Sequence, residues 1–251
     1  MKNKFDLSGK VAVITGGNRG IGKAIALGLA EQGADIAIVD LTVGEETLAE
    51  IEALGRKAWG FTYNLRNFGG FDQLVQDILA KTGGLDILVN NAGMTIRHPS
   101  VEFPEADWDK VMDINAKAVF FLSQAAGKHM LEKGYGKIIN IASLLSFQGG
   151  FTVPAYAASK GAVAQMTKSL SNEWAGQNVN VNAVAPGYLN TELNTALIND
   201  PVRSRQILER IPAGRWGLPA DIAGAVAFLA APASDYVNGI IIPIDGGWLG
   251  R

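Results

Sequence analysis

Short runs of apolar residues alternate along the chain with helix-length amphipathic segments. The runs are rich in β-branched residues and lack polar alternation, which is typical of strands buried on both faces of a parallel sheet. They predict seven strands, at residues 11–15, 35–40, 58–63, 87–89, 137–141, 179–184 and 240–244. The segments between them predict helices at residues 20–32, 45–54, 71–81, 105–133, 154–175 and 219–230. Such alternation predicts an α/β fold, a doubly wound seven-stranded parallel sheet with helices on both faces.

The length of the chain and one irregular segment define its expected organisation. One hydrophobic core can serve 251 residues, and no repeat or linker divides them, so we expect a single domain over residues 1–251. The strand–helix alternation breaks at residues 188–217, where two short helices are predicted on either side of Asp200-Pro201. An insertion of this kind is expected to form a mobile lid over a binding site.

Charge and composition argue against several classes of partner. The net charge is −2 and no basic block occurs, so nucleic acid is not an expected partner. The chain has no cysteine and only two histidines, His98 and His129, so neither a disulfide nor a metal site is expected. No apolar run has the length of a signal peptide or a membrane span. We therefore expect a cytoplasmic protein with no membrane partner.

Glycine is enriched, with 30 residues in 251, and four of these follow the first predicted strand, at residues 16–22. A strand that leads through glycines into a helix N-terminus makes an anion site, because a pyrophosphate can approach bare backbone N–H groups. The spacing of Gly17, Gly22 and Lys23 also fits a nucleoside triphosphate loop. That motif needs serine or threonine next, to hold Mg²⁺, and this chain has Ala24. We therefore favour a dinucleotide.

An acidic residue at the end of the second strand indicates which dinucleotide binds. Asp40 stands there, where a carboxylate accepts hydrogen bonds from the ribose hydroxyls of NAD and repels the 2′-phosphate of NADP. Arg19 favours the other cofactor, since a guanidinium group beside the ribose could pair with that phosphate. We give Asp40 more weight and predict NAD, with NADP as the alternative.

Tyr156 and Lys160 lie four residues apart in a predicted helix, so both side chains share one helix face. An ammonium group near a phenol stabilises the phenolate and lowers the phenol pKa from about 10. Ser143 follows the fifth predicted strand, at the sheet edge where ligands bind, and its hydroxyl can donate to a substrate oxygen. A tyrosine–lysine pair alone is more often a surface pair, but with Ser143 it predicts a proton-transfer site.

These segments occur together with Asn90-Asn91-Ala92-Gly93, Asn115 and Pro186-Gly187, in an order and spacing that resemble the short-chain dehydrogenase/reductase family over the whole chain. The resemblance implies a single-domain Rossmann fold. It also implies hydride transfer between C4 of a nicotinamide cofactor and a carbonyl carbon. By this resemblance, Tyr156 is the general acid or base and Ser143 is the hydroxyl that polarises the substrate oxygen.

The resemblance also implies supporting roles. Lys160 would lower the pKa of Tyr156 and hold the nicotinamide ribose, and Asn115 would position a water molecule in the proton relay. Many family members have aspartate and a small aliphatic residue where this chain has Asn64-Leu65, but an amide can still meet the adenine edge. The cofactor-binding residues that it implies are Gly16, Asn18, Arg19, Gly20, Ile21, Gly22, Asp40, Asn64, Leu65, Asn90, Asn91, Ala92, Gly93, Tyr156, Lys160, Pro186, Gly187, Leu189 and Thr191.

Residues 146–150, 211–217 and 245–248 resemble a group of bacterial family members that act on sugar acids released from uronate polysaccharides. The alternatives within the family are glucose 1-dehydrogenase and 3-oxoacyl carrier protein reductase. A non-catalytic NAD-binding module is a further alternative, against which the intact catalytic residues argue. The family resemblance also implies a homotetramer.

A sugar acid carries a carboxylate and several hydroxyls, so its pocket should offer a cation and polar donors. The candidates for substrate binding are Arg97 as the carboxylate clamp, Gln148 and Tyr188, beside Ser143. Arg97, Gln148 and Tyr188 could equally be solvated loop residues. An acyl chain on a carrier protein would instead favour an apolar groove and a basic docking patch, and the chain has no basic cluster.

Overall fold

Seven strands form one parallel sheet in the computed structural model, which describes residues 3–251. The strands are β1 (Val11–Thr15), β2 (Asp35–Asp40), β3 (Ala58–Thr62), β4 (Ile87–Asn90), β5 (Gly136–Ile141), β6 (Val179–Pro186) and β7 (Ile241–Ile244). Their order across the sheet is β3-β2-β1-β4-β5-β6-β7, and every neighbouring pair is parallel. The predicted doubly wound sheet is therefore confirmed.

The helices connect the strands in the predicted order. They are α1 (Gly20–Glu31), α2 (Glu45–Ala53), α3 (Phe71–Thr82), α4 (Glu105–Met112), α5 (Ala118–Lys133), α6 (Pro154–Trp174), α7 (Thr195–Ile198), α8 (Pro201–Leu208) and α9 (Ala220–Ala230). The prediction of a single helix at 105–133 is wrong in one respect, because a π-helical turn at Asp113–Lys117 separates α4 from α5. No proline or glycine marks this turn in the sequence.

Both faces of the sheet are covered by helices. In β1, Ala12 and Ile14 pack into one apolar core and Val13 packs into another, because successive strand residues point to opposite faces. The core around Ala12 and Ile14 contains residues of α1 and α9, and the core around Val13 contains residues of α3 and α5. The central strands β1, β4, β5 and β6 are buried throughout, whereas the edge strands β3 and β7 are partly exposed.

The strand order creates a crevice at one edge of the sheet. The chain runs outward from β1 through β2 to β3, and then returns to place β4 on the other side of β1. Connections that leave two neighbouring strands in opposite directions open a crevice at their carboxyl ends, which is where open α/β sheets bind ligands. The glycine-rich turn follows β1 and Asn91 follows β4, so both lie at this point.

Residues 3–251 were searched for a membrane-spanning helix and for a metal-binding cluster. The helices there do not include one that is both long and apolar enough to cross a membrane. The same residues contain no group of three or more histidine, aspartate or glutamate side chains that could hold a metal ion.

Candidate cofactor and substrate cleft

A cleft of about 1020 Å³ opens along the carboxyl ends of the strands. It brings together residues from the turns after β1, β4, β5 and β6 and from the segment 188–217. Of the residues singled out in the sequence, those that line it are Gly16, Arg19, Gly20, Ile21, Gly22, Asp40, Asn64, Leu65, Asn91, Ala92, Gly93, Arg97, Ser143, Gln148, Tyr156, Lys160, Pro186, Gly187, Tyr188, Leu189 and Thr191.

The turn after β1 leaves space for a ligand because glycines, which have no side chain, stand where the backbone is most crowded. Gly16 has a φ of +65°, in the left-handed region that favours glycine. A Cβ atom on Gly22 would lie 2.0 Å from the carbonyl oxygen of Gly16, so the start of α1 packs directly against the turn. The bare backbone at a helix N-terminus fits the pyrophosphate of a dinucleotide.

Replacing Gly22 with alanine should therefore disturb both the turn and the site. Because the new methyl group would displace the Gly16 carbonyl, we expect a loss of about 1–3 kcal/mol in the free energy of unfolding. Cofactor affinity should fall as well, and urea unfolding and cofactor titration measure the two effects. Gly224→Ala is the matched control, since Gly224 lies in α9 with open space around it and should gain about 0.5–1 kcal/mol. Equal stability of the two variants would contradict this reading of the turn.

Asn91 and Thr15 hold the turn at the switch point. The Asn91 side-chain amide donates to the carbonyl oxygens of Thr15 and Gly16, at 2.9 and 3.0 Å. In the reverse direction, the Thr15 hydroxyl oxygen accepts the backbone N–H groups of Asn91 and Ala92, both at 3.0 Å. The ends of β1 and β4 are thus bonded to each other, which fixes the wall of the cleft.

Asn18 and Asn90 were predicted to contact the cofactor, and the structure places their side chains in the wall behind the residues that line the cleft. The Asn18 side-chain oxygen accepts the N–H of Gly44 at 3.0 Å and its amide donates to the carbonyl of Thr42. Asn90 is buried, and its amide donates to Asn140 at 2.8 Å and to a serine of α5. These hydrogen-bond partners lie in other elements of the fold, so the local sequence motif does not reveal them.

Asn115 is likewise absent from the lining of the cleft. It lies in the π-helical turn and is fully buried, with its amide donating to the carbonyl of Met94 at 2.8 Å and to Ser159 at 3.1 Å. Its oxygen accepts the N–H of Met94 at 2.9 Å, and the Ser159 hydroxyl donates to the carbonyl of Tyr156 at 2.7 Å. The Asn115 side chain therefore fastens the loop after β4 to the first turns of α6.

Asp40 and Arg19 line the end of the cleft beside the glycine-rich turn. One carboxylate oxygen of Asp40 accepts the N–H of Leu41 at 2.8 Å and the other accepts the N–H of Asn18 at 3.4 Å. Arg19 forms an ion pair with Glu192 at 2.7 Å. Because Glu192 belongs to the segment 188–217, this exposed pair connects that segment to the glycine-rich turn.

Lys160 lies on α6 one turn after Tyr156, as the spacing predicts. Its Nζ is 5.7 Å from the centre of the Tyr156 ring and donates to the carbonyl oxygen of Ile141 at 2.6 Å. Lys160 is only 4% exposed, and this burial lowers its pKa to about 8. At neutral pH the protonated ammonium is therefore held in a poorly solvated place beside the phenol.

Burial raises the pKa of Tyr156, and two neighbours oppose that shift. These are the Ser143 hydroxyl and, with a smaller effect, the positive charge of Arg97. Lys160, which was expected to lower this pKa, has its ammonium bonded to Ile141, and the fold brings a second cation, Arg97, near the phenol. The sequence could not show this, because Arg97 is distant along the chain.

Ser143 is oriented by the short helical turn that follows β5. Its hydroxyl oxygen accepts the N–H of Leu145 at 3.2 Å, and its own N–H donates to Ser146 at 3.3 Å. The Ser146 hydroxyl donates to the carbonyl of Lys160 at 2.7 Å, which ties the turn to α6. Because the Ser143 oxygen accepts from the backbone, its proton can be donated into the cleft.

Trp248 contacts two of the predicted substrate residues, Gln148 and Tyr188. Its indole N–H donates to the side-chain oxygen of Gln148 at 3.1 Å, and its ring packs against Tyr188 with centroids 4.7 Å apart. Arg97 is exposed at the cleft rim, where its guanidinium is 3.5 Å from the carbonyl oxygen of Phe151. All four predicted substrate residues, Ser143 included, therefore lie in the same cleft.

Five polar residues of the segment 188–217 line the cleft without having been predicted from the sequence: Glu192, Asn194, Arg203, Gln206 and Arg210. The last three form a set. They share one face of α8 and of the turn after it with the buried Ile207. The available signal was their spacing of three, four and seven positions, which marks one side of a helix.

Fold and cleft together define a nicotinamide-dependent oxidoreductase, and a family model described as short chain dehydrogenase matches residues 10–201. The chain belongs to this family, as the motifs predict. It is 53% identical to the 2-dehydro-3-deoxy-D-gluconate 5-dehydrogenase of Escherichia coli (strain K12) over 248 residues, which cover 98% of each chain.

Solved structures are similar over the same length. A protein from Agrobacterium tumefaciens assigned as 2-deoxy-D-gluconate 3-dehydrogenase, with bound NADP, matches with a TM-score of 0.92 and 50% identity over the whole of both chains. A gluconate 5-dehydrogenase from Burkholderia cenocepacia J2315 in complex with NADP and tartrate matches with a TM-score of 0.94 and 41% identity, covering 99% of this chain and 98% of that one.

Proposed function

We propose that the chain interconverts a hydroxyl group and a ketone of a sugar acid, in the manner of a 2-dehydro-3-deoxy-D-gluconate 5-dehydrogenase. The observation that carries this proposal is that Tyr156 shares one cleft with an arginine-rich, hydroxyl- and amide-lined end. A carboxylated polyol needs both a proton-transferring group and such a surface. The full-length similarity to a bacterial enzyme of that name supports the choice of substrate.

When bound, a nicotinamide cofactor supplies the hydride acceptor or donor. Tyr156 takes the proton of the substrate hydroxyl during oxidation and returns it during reduction. The Ser143 hydroxyl donates to the same substrate oxygen and holds it toward Tyr156. The Lys160 ammonium holds the nicotinamide ribose and adds positive charge near the phenol.

Asn115 acts as a positioning residue in this proposal. Its side chain holds Ser159 and thereby the backbone of Tyr156, so it keeps the phenol at the cleft. Both of its N–H groups are already donated to protein atoms. A water molecule in the proton relay would therefore be held by acceptors of this region and not by the amide N–H groups of Asn115.

The cofactor extends along the edge of the sheet in this proposal. Its pyrophosphate lies on the glycine-rich turn, its adenosine beside Asp40 and Asn64, and its nicotinamide between Gly93 and the end of β6. The other contacts are the cleft-lining residues Ile21, Leu65, Asn91, Ala92, Pro186, Gly187, Leu189 and Thr191.

The segment 188–217 serves as the lid of this site. Its two ends are bonded together, with the N–H of Asn190 donating to Gly217 at 2.7 Å and the N–H of Gly217 donating to Tyr188 at 2.9 Å. The base of the segment is therefore fixed while α7 and α8 lie over the cleft. This arrangement supports movement of the two helices as a unit on a single-domain scaffold.

The balance between NAD and NADP is set by Asp40 and Arg19. Asp40 favours NAD, as the sequence predicts, whereas the NADP bound in both related crystal structures favours NADP in this group of proteins. In this chain Arg19 is paired with Glu192, which competes with a 2′-phosphate for the guanidinium group. We therefore propose that both cofactors are accepted.

Two substitutions should move this balance in opposite directions. Asp40→Asn removes the repulsion of a 2′-phosphate and should raise the kcat/KM ratio of NADP to NAD about tenfold, equivalent to about 1.4 kcal/mol. Arg19→Gln should lower the ratio, because it removes the cation that can pair with the phosphate. Initial rates with both cofactors measure the ratio. Asp77→Asn, on the exposed side of α3, is the control, and a shift in the same direction for Asp40→Asn and Arg19→Gln would contradict these roles.

A substrate screen tests the proposal as a whole. Ketones of sugar acids, acyl thioesters and simple sugars would be offered with NADH and with NADPH, and the absorbance of the reduced cofactor followed. We expect the largest kcat/KM for a sugar-acid ketone. A preference for an acyl thioester or an aldose would assign the chain to another branch of the family, and cofactor binding without turnover would identify a binding module.

The proposal includes a homotetramer in the cytoplasm. The partly exposed edge strand β7, with Ile240 44% exposed before it, supports burial of this edge between subunits. Dependence on a nicotinamide cofactor supports the location. Light scattering of the purified protein measures the mass of the assembly.

A further inference from the structure

Three arginines line the cleft without a carboxylate partner. Among residues 3–251, Arg97, Arg203 and Arg210 form no ion pair, whereas Arg56 and Arg66, for example, are each paired with an aspartate. Guanidinium groups that line a cleft and remain unpaired favour an anionic ligand, because a carboxylate can accept two of their N–H groups.

Two of these arginines are held in place by aromatic rings. The guanidinium carbon of Arg203 lies 5.8 Å from the ring centre of Phe151, and that of Arg210 lies 4.1 Å from the ring centre of Trp248. Stacking of this kind restrains a guanidinium group and leaves N–H groups available for hydrogen bonds. One N–H of Arg203 already donates to the side-chain oxygen of Gln206 at 2.9 Å, and its other N–H groups have no partner among the described residues. Because Trp248 also bonds Gln148, Arg210 and Gln148 are held on the same indole.

The two faces of α8 differ in a way that supports a binding role for one of them. Ile207 is 3% exposed, and its burial turns the face with Arg203 and Arg210 toward the cleft. On the other face, Arg205 pairs with Glu209 at 3.8 Å, and both side chains are largely exposed. Arg203 and Arg210, which have no ion pair, therefore line the cleft, and the paired Arg205 lies on the opposite side of the helix.

The acidic residues of the cleft lie elsewhere. Within the described residues, the acidic side chains that line it are Asp40 and Glu192, and both are near Arg19. The end formed by Arg203, Arg210 and Trp248 therefore has no carboxylate among its lining residues. A substrate carboxylate would meet no like charge there.

Arg97 reaches the cleft from the loop after β4, with its guanidinium 3.5 Å from the carbonyl oxygen of Phe151, the residue whose ring lies against Arg203. It lies close enough to Tyr156 for its charge to lower the pKa of the phenol, and neither Arg203 nor Arg210 has that effect. In a sugar acid oxidised far from its carboxyl carbon, the reacting oxygen must lie at Tyr156 and the carboxylate at a distance. Arg97 is therefore near the reacting end.

We propose that Arg203 on α8 and Arg210 in the turn after it bind the substrate carboxylate, in place of Arg97. This inference rests on the proposed function, and it corrects the expectation that Arg97 is the carboxylate clamp. It also gives the lid a role in selecting the substrate, because closure of α8 delivers the two cations that the carboxylate requires.

The test compares an acid with its neutral ester. Arg203→Gln, Arg210→Gln, Arg210→Lys and Arg97→Gln would be assayed with 2-dehydro-3-deoxy-D-gluconate and with its methyl ester, using oxidised cofactor over a range of pH. Arg205→Gln is the matched control on the outer face of α8. Thermal unfolding of each variant shows whether it is folded.

We expect Arg203→Gln and Arg210→Gln to raise KM for the acid about 10- to 100-fold and to leave kcat unchanged. A change of this size is expected when a hydrogen-bonded charge pair is lost. KM for the ester should not change, and Arg210→Lys should recover part of the loss. Arg97→Gln should move the pH profile of kcat to higher pH, because the pKa of Tyr156 rises when that charge is removed.

Two results would overturn the inference while leaving the proposed function intact. One is a rise in KM for acid and ester alike in Arg203→Gln and Arg210→Gln, and the other is an acid-selective rise in Arg97→Gln. A wild-type protein that oxidises neither compound would instead overturn the proposed function, and the inference with it.

Discussion

Replacing Tyr156 with phenylalanine is expected to lower kcat by about 100- to 10 000-fold, the usual contribution of a general acid or base. The substitution removes one hydroxyl group and keeps the ring, so the packing of α6 and the cleft wall should be preserved. Cofactor affinity should therefore stay near that of the wild type. Stopped-flow turnover and cofactor titration measure the two quantities separately.

Tyr236→Phe is the matched control for this prediction. Tyr236 is fully exposed and lies outside the cleft, so removal of its hydroxyl should change neither kcat nor cofactor affinity. If Tyr156→Phe kept wild-type turnover, Tyr156 would not be the proton-transferring group. If it lost cofactor binding instead, its contribution would lie in the binding of the dinucleotide.

Replacing Lys160 with methionine should abolish most activity and yet stabilise the free protein near neutral pH. Burial lowers the pKa of Lys160 from 10.5 to about 8, so keeping the charged form in the fold costs free energy. The methionine variant removes this cost but leaves the carbonyl of Ile141 without its donor. We expect a net gain of about 1–2 kcal/mol in the free energy of unfolding at neutral pH.

The stability gained by Lys160→Met should depend on pH in a definite direction. Between about pH 8 and the ordinary lysine value of 10.5, the unfolded wild type binds more protons at this position than the folded protein does. This site therefore adds to wild-type stability as pH rises through that range, by up to about 3 kcal/mol, and the methionine variant lacks this contribution. The advantage of the variant should shrink as pH rises.

Urea unfolding at several pH values measures this difference. Lys168→Met is the control, because Lys168 lies on the exposed side of the same helix and carries no buried charge. A Lys160→Met variant that is less stable than the wild type at neutral pH, and equally so at alkaline pH, would contradict a buried, costly ammonium group.

The sequence predicts the features that depend on local pattern. Short apolar runs identify all seven strands, and the glycines after β1, with the pair Tyr156 and Lys160, locate the cleft at the carboxyl edge of the sheet. These predictions succeed because strand burial, helix spacing and glycine turns are determined by residues that are close together in the chain.

Features set by contacts between distant elements could not be predicted in the same way. The π-helical turn at Asn115 is accompanied by hydrogen bonds to Met94 and Ser159, which belong to other parts of the chain. Arg97, which lies far from Tyr156 along the chain, adds a positive charge that lowers the pKa of the phenol, and the Lys160 ammonium is bonded to a strand carbonyl. In each case the partner that decides the outcome is brought close by the fold.

Transfer of deuterium is the most direct test of the central claim that the chain moves a hydride to or from a sugar acid. Wild-type protein would be incubated with the ketone of a sugar acid and with reduced cofactor deuterated at C4 of the nicotinamide. We expect deuterium at C5 of the product, on the carbon that carries the new hydroxyl, as seen by mass spectrometry and NMR. An unlabelled sugar acid, with the label found instead in an acyl thioester or an aldose offered in parallel, would contradict the claim.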